Sequence, residues 1–464
     1  MKIAASMAVA AAAGFFIHVY LARALQPELY GVLAVVTSIV VWWEAGASSL
    51  LRQATERMVA AAGDAWRAVA GSSVRLSIVS SVLLTVACWL LAPLIADALG
   101  DARLSGYIRL MSIDIPLFVL YSTWLSVLNG RRRYGSRALS SIAYWVAKAA
   151  LMCGLVALGL SVQGAIIGSI SASVVGLVVA WWFAGVRLPA AGHSFGKLIA
   201  FGLPVMALAI MDRLVMNMDL WVVKAIVEDP DAAGLYGIGK YGFEAAMMLP
   251  IAVCGAAFPT LTQSIVGGNS KSIRELIAES SRFTLLLIAP MIAIMACSGR
   301  ELIGLVFGDA YAPAAVAVVV LLAAALLSGL RLVGNTTLIA DDRPGLVLAI
   351  SAPIVPLNIW LNWILISSHG LAGAAAATAI TFVVASIPAW WFVWRRFQVL
   401  PPALSALRAA VAAGAVYAIG SLVAVEGWLV LLQATGLLCL YLLLLGAFGE
   451  LKMRDLEPLA FWKK

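Results

Sequence analysis

Of 464 residues, 63% are hydrophobic and only 12% are charged, about half the roughly 25% usual in soluble domains. A mean hydropathy of +1.01 excludes a soluble globular protein. The formal charge of +8 therefore speaks to membrane topology before it speaks to partners, and nucleic acid is not among those it implies.

A helix needs about 20 apolar residues to cross a hydrocarbon core near 30 Å thick. Fourteen such spans can be read along the chain, at about 4–22, 30–50, 76–96, 107–128, 138–160, 163–185, 198–222, 233–262, 281–299, 314–338, 345–367, 370–394, 404–424 and 428–448. The expected class is an all-α polytopic membrane protein with short connections. The first helix is too long for a cleaved signal and lacks a small-residue cleavage site, so it reads as the first crossing.

Lys and Arg alternate between the two sides. One set of connections carries Arg52, Arg57, Arg67 and Arg75, then Arg131, Arg132, Arg133 and Arg137, then Arg187, Lys197, Lys271, Arg274 and Arg282. Arg343, Arg395, Arg396 and Arg408 continue it, and the tail adds Lys452, Arg454, Lys463 and Lys464. The other side holds little beyond Arg23, Arg103, Arg109, Lys224 and Arg300. The positive-inside rule puts both termini in the cytoplasm, which needs an even number of crossings. The basic loops themselves read as topogenic.

The stretch from Gly202 to Pro250 reads as two apolar helices joined by the acidic turn Glu228-Asp229-Pro230-Asp231. After that turn, LYGIGK echoes LYGVLA, which follows Leu25-Gln26-Pro27-Glu28, and Tyr236-Gly237 falls 206 positions after Tyr30-Gly31. The echo persists. Trp181-Trp182-Phe183 returns as Trp390-Trp391-Phe392, GAIIGSISASVV from Gly164 resembles GAAAATAITFVV from Gly373, and Tyr134-Gly135 falls opposite Pro344-Gly345. Two parallel six-helix bundles are therefore expected, over 1–190 and 195–398, with an added hairpin and tail over 399–464.

Charge inside a span costs roughly 2.5–3.5 kcal/mol at the bilayer centre, so each such residue needs a reason. The cationic candidates are Lys148, Arg213, Lys240 and Arg331. Guanidinium and ammonium groups suit phosphate oxygens, which makes these four the expected substrate-binding set. The acidic candidates for gating or ion coupling are Glu44, Asp114, Asp212, Asp219 and Glu244. Asp212 and Asp219 are seven apart and should share a helix face; Tyr236, Lys240, Glu244 and Met247 form a second stripe. Structural pairing of Lys240 with Glu244, or of Arg213 with Asp212 or Asp219, is the competing reading. Gly202 and Pro204 are the expected hinge of the seventh span. His18 reads as a packing histidine, and Asn358 and Asn362 as hydrogen-bonding partners between helices. The five cysteines sit far apart in apolar runs and suggest neither a disulfide framework nor a metal site.

With LARALQPELYGVL, MDLWVVKAIVEDPDAAGLYGIGKYGFEAAMMLP, AAFPTLTQ at 256–263, LVFGDAYAPAA at 305–315 and LNWILISSHGLAGAAAATAIT at 361–381, the chain resembles the multidrug/oligosaccharidyl-lipid/polysaccharide exporter superfamily. Within it the likeness is to the polysaccharide-type flippases, including those for O-antigen. The resemblance implies a MATE-like V-shaped pair of bundles with alternating access, working in the inner membrane. It implies a polyprenyl-pyrophosphate-linked oligosaccharide as substrate, moved to the periplasmic leaflet, with a polymerase and a chain-length regulator as expected partners. The acidic candidates are also expected to couple transport to a proton or sodium gradient by neutralising during the cycle, with no other cofactor. A multidrug exporter of the same fold and a lipid II flippase are the transporter alternatives. A membrane polymerase or ligase is the enzyme alternative, but the longest outer loop has only about ten residues where a large one is expected. No GxxxxGK[ST], HExxH or nucleophile elbow occurs, so no enzymatic activity is expected.

Overall fold

The computed structural model describes residues 2–185, 195–423 and 425–450, and every regular element among them is helical. In chain order these are α1 (Lys2–Ala61), α2 (Trp66–Ala98), α3 (Arg103–Met111), α4 (Asp114–Gly130), α5 (Tyr134–Leu155), α6 (Ser161–Ala184) and α7 (Phe195–Ile226). Then follow α8 (Ala232–Val266), α9 (Ser270–Phe307), α10 (Ala315–Ala340), α11 (Pro344–Ser351), α12 (Ile354–Phe397), α13 (Ala403–Leu422) and α14 (Leu429–Ala447). Ten helical stretches among the described residues are long and apolar enough to cross a membrane. Arg187 and the tail residues Lys452, Arg454, Lys463 and Lys464 lie outside the described residues, as do the side chains of Lys197 and Pro204.

Three of these stretches exceed what one crossing needs, and each contains a break. Ala5–Ala61 bends at Gln26, whose φ is 59° just before Pro27. Tyr134–Ala184 is interrupted at Gly159 (φ 88°) and Ser161 (φ 48°), and Pro344–Phe397 at Gly370 (φ 55°). Such backbone is cheap only for glycine, so these are fixed turning points. The expected fourth span is also broken, between α3 and α4 at Ser112 and Ile113. Pro116 has no N–H to give the Ser112 carbonyl, which accepts instead from the Ile115 N–H at 3.2 Å, with Thr85 Oγ1 at 3.5 Å. The same chemistry separates α11 from α12, where Pro353 and Pro356 leave the Ala349 and Ala352 carbonyls without helical donors. The basic connection expected after residue 50 is itself helical, since α1 runs on to Ala61 and α2 starts at Trp66.

The chain forms two compact units, Met1–Gly234 and Leu235–Lys464. α7 packs along α1 and belongs to the first of these units. A Cβ on Gly202 would overlap the Leu50 carbonyl, so the two helices touch backbone to backbone there. Within the same unit, a Cβ on Gly31 would sit 2.5 Å from the Gly234 nitrogen, and one on Gly234 would overlap the Pro27 carbonyl. Small residues thus fix α1 against the end of the α7–α8 turn. The first unit's core centres on Val69, Val74, Tyr121, Trp124 and Tyr144. In the second unit, α9 packs against α13 and α14 through Ala289, Ala293, Ala412, Val416 and Tyr441. That contact seats the C-terminal hairpin.

Candidate functional site

The first unit brings Glu44, Asp114 and Lys148 together from α1, α4 and α5. Glu44 and Asp114 are 4% and 2% exposed, and all three groups lie within electrostatic range of one another. Asp114 opens α4, where a carboxylate faces the positive end of the helix dipole. Ser169 of α6 donates to its Oδ2 at 3.2 Å. Lys148 Nζ donates to Tyr144 Oη at 3.1 Å and lies over the Tyr144 and Trp145 rings at 5.4 and 5.7 Å. Tyr144 in turn stacks on Tyr121 with centroids 5.0 Å apart. Glu44 Oε1 has no hydrogen-bond partner, and Asp114 Oδ1 has none in good geometry, with the Ser173 hydroxyl of α6 also beside that carboxylate. Native interiors leave few such groups, and an ionisable one inside a membrane span is a candidate functional group. His18 also feels the charge of Lys148, and its Nδ1 is 2.8 Å from Tyr30 Oη, so it is the packed, satisfied histidine expected.

The remaining candidates divide between the units. On α7, Arg213 and Asp212 are exposed while Asp219 is 2% exposed. The shared azimuth of Asp212 and Asp219 therefore does not give them one environment. At the level of Asp219 the helix is closed in, with Trp221 Nε1 donating to Ser38 Oγ at 2.8 Å and Leu220 and Val223 buried beside it. In the second unit, Tyr236 and Lys240 are buried, Met247 is half-buried and Glu244 is exposed, so the predicted stripe runs from interior to surface. Arg331 lies with Cζ 5.3 Å from the Phe382 ring. Asn358 and Asn362 are fully buried; Asn358 Nδ2 donates to Thr381 Oγ1 at 3.1 Å, joining the two halves of α12, and Asn362 Nδ2 donates to the Asn358 carbonyl at 2.9 Å. Asn358 thus makes the bond between helical segments expected of it, whereas Asn362 bonds within its own segment.

No group of three or more His, Cys, Asp or Glu side chains among the described residues is placed to hold a metal ion. What distinguishes this chain is buried charge in an apolar, helical scaffold. Residues 20–316 match the family model described as polysaccharide biosynthesis protein.

The chain belongs to the polysaccharide biosynthesis protein family. A probable low-salt glycan biosynthesis flippase, Agl15, of Haloferax volcanii is 26% identical over 298 residues, which are 62% of this chain and 62% of that protein. A putative O-antigen transporter of Shigella flexneri is 22% identical over 301 residues, 63% of this chain and 70% of that protein. Among solved structures, the lipid II flippase MurJ in an inward closed conformation superimposes with a TM-score of 0.79 over 98% of this chain and 99% of that one, at 13% identity. That last likeness speaks to the fold. These relatives are named as flippases and transporters rather than enzymes.

Within this family member, two ion networks escaped the sequence reading. At one end of the first unit, Asp101 Oδ2 receives Arg103 Nη2 and Lys224 Nζ, each at 3.0 Å, and Arg103 Nη1 reaches Glu28 Oε1 at 2.9 Å. Burial alone would raise the Asp101 pKa, but the hydrogen bonds from Arg103 and Lys224 outweigh it and hold the carboxyl at about 2. In the second unit, Glu450 accepts from Arg282 Nε and Arg408 Nη1, each at 2.9 Å, and from Ser405 Oγ at 3.0 Å. The Arg282 guanidinium also bonds the Glu450 carbonyl. Burial again pushes upward, and the bonds from Arg408, Arg282 and Ser405 hold this carboxyl below the ordinary range. Arg282 and Arg408 looked like topogenic charges because their partner lies 168 and 42 residues away in sequence.

Proposed function

We propose that this protein is a flippase that carries a polyprenyl-pyrophosphate-linked oligosaccharide repeat unit from the cytoplasmic to the periplasmic leaflet of the inner membrane. The product feeds synthesis of an envelope polysaccharide such as O-antigen, capsule or exopolysaccharide. Membership of the polysaccharide biosynthesis protein family carries this reading, and relatives named for glycan flipping and O-antigen transport support it. On this reading about fourteen crossings run with both termini cytoplasmic, and the two repeated bundles alternate access. Arg213 and Lys148 in the first unit, and Lys240 and Arg331 in the second, supply positive charge for the pyrophosphate and acidic sugars. Gly202 and Pro204 serve the bundle motion.

The Glu44–Asp114–Lys148 cluster is the coupling site in this reading, with Asp219, Asp212 and Glu244 as further gating groups. A buried carboxylate with an unpartnered oxygen can take up a proton or sodium ion and release it when its surroundings change. Burying it costs free energy, and a coupling cycle offers a reason to retain it.

Deleting the gene in its host and analysing polyprenyl-linked glycans by mass spectrometry tests the proposal. Accumulation of one completed repeat unit on the cytoplasmic leaflet, with loss of surface polysaccharide, is the expected result. Complementation with Lys240→Ala or Arg213→Ala should restore surface polysaccharide at least about tenfold less well than the native chain, corresponding to roughly 1.4 kcal/mol or more of lost phosphate interaction. Sensitivity to cationic drugs without glycan accumulation would instead identify a multidrug exporter, and accumulated lipid II would identify a lipid II flippase.

A further inference from the structure

The break between α11 and α12 opens a groove of about 390 Å³ on the second unit. Leu346, Ile350, Pro353, Leu357, Pro388 and Phe392 are among the side chains that line it. Pro353 is exposed and Leu346, Ile350, Leu357, Pro388 and Phe392 are half-buried, so the groove opens to the surface. Val383, Ile387 and Trp391 flank it and are exposed as well. In a membrane, such a face meets hydrocarbon. From Leu346 to Leu357 the lining runs about 16 Å at the helical rise, roughly half the 30 Å core. That length suits a chain confined to one leaflet.

One end is cationic. Arg343 and Arg396 both reach Asp341, with their Nε atoms 3.0 and 3.3 Å from the same Oδ2. Asp341 is 5% exposed, whereas the two arginines keep 49% and 53% of their side-chain surface open. The buried carboxylate thus orients two guanidinium groups and neutralises only one. Arg395 adds a third charge, its Cζ 5.4 Å from the Trp391 ring, the pairing expected where a helix leaves the membrane. Arg343 directly precedes α11, and Arg395 and Arg396 lie within two turns of Pro388 and Phe392.

We propose that this groove is a binding site for an anionic phospholipid of the cytoplasmic leaflet. One acyl chain lies along Leu346, Ile350, Pro353 and Leu357, and the phosphate sits on the exposed guanidinium N–H groups of Arg343 and Arg396 that face away from Asp341. Length and charge select this occupant. The groove accepts a chain confined to one leaflet, and three guanidinium groups against the carboxylates of Asp341 and exposed Asp342 leave a surplus positive charge that favours a phosphate without a balancing cation.

The test places the full-length protein in phosphatidylcholine vesicles doped with phosphatidylglycerol, then extracts it and quantifies retained lipid by mass spectrometry. The native chain should retain phosphatidylglycerol in preference to phosphatidylcholine. Arg343→Gln with Arg396→Gln should lose at least about tenfold of that preference, as expected for removing two charge-assisted bonds. Ala349→Trp, at an exposed lining position away from the ion pairs, should fill the groove and release the lipid with the arginines intact. That variant keeps the test decisive if the double change unfolds the protein. Retention unchanged in Ala349→Trp would overturn the site. Equal loss on changing Arg131 and Arg133 to Gln would show only general attraction to a basic face. Displacement of phosphatidylglycerol by a polyprenyl phosphate at equal concentration would reassign the groove to the carrier lipid.

Discussion

Each unit buries a cluster of charged side chains, and the two are wired differently. Around Glu450, three donors from α9 and α13 meet one carboxylate, so both its oxygens are bonded. Around Glu44 and Asp114, one oxygen of each carboxylate lacks a partner in good geometry, and the lysine beside them donates to a tyrosine. A fully bonded charge holds helices in place, here the C-terminal hairpin against α9. An incompletely bonded one is costly to keep. Burial alone therefore does not separate these two clusters; the hydrogen bonds of their carboxylates do.

The largest effect is expected at the bonded cluster. Glu450→Ala leaves Arg282 buried without its counter-ion and should cost about 3–5 kcal/mol, read as a lowered Tm in detergent. Changing Arg282→Met together with Glu450→Leu should recover most of that loss. If Glu450→Ala unfolds at the native temperature, the cluster does not hold the hairpin.

At the incompletely bonded cluster the contrast should invert. Glu44→Gln should leave Tm unchanged or raised while flipping falls by about tenfold, close to 1.4 kcal/mol in the transport barrier. A variant that loses stability but keeps specific transport activity would place Glu44 with the structural charges instead. Ser169→Ala removes the hydrogen bond to Asp114 Oδ2 and sharpens the point. It should alter the pH profile of transport and cost only about 1 kcal/mol in stability.

The Asp101 network gives a smaller and pH-dependent effect. Its carboxyl is held at about 2 in the folded chain, against about 3.9 in an unfolded one. The contribution is fully present above pH 4 and is lost as the pH falls through 2. Water reaches Arg103, which is 49% exposed, so the network should contribute about 1 kcal/mol rather than the full value of the shift. Asp101→Asn should remove that increment at neutral pH and flatten the acid limb of the Tm curve.

Much of this molecule was legible from residue order alone. Long apolar runs can satisfy their backbone in lipid only as helices, so an all-helical membrane protein followed directly from composition. The motifs around Tyr30 and Tyr236 carried the family. The burial of Glu44 and Asp114, and the bonding of Asn358 with Asn362 and Thr381, followed from the cost of polar groups in hydrocarbon. Local chemistry also explains the helix breaks at Ser112–Ile113 and Ala352–Pro353, since each traces to a proline that cannot donate.

Only the tertiary structure decided which charges meet. Glu450 finds Arg282 across 168 residues, and α7 joins the first unit because Gly202 lets it touch Leu50. Asp212 and Asp219 share a helical face, yet one is exposed and the other enclosed. Periodicity sets the direction of a side chain, whereas its surroundings come from whatever helix is packed opposite. That partner is chosen by the close fit of small residues far apart in the chain, which no local pattern records.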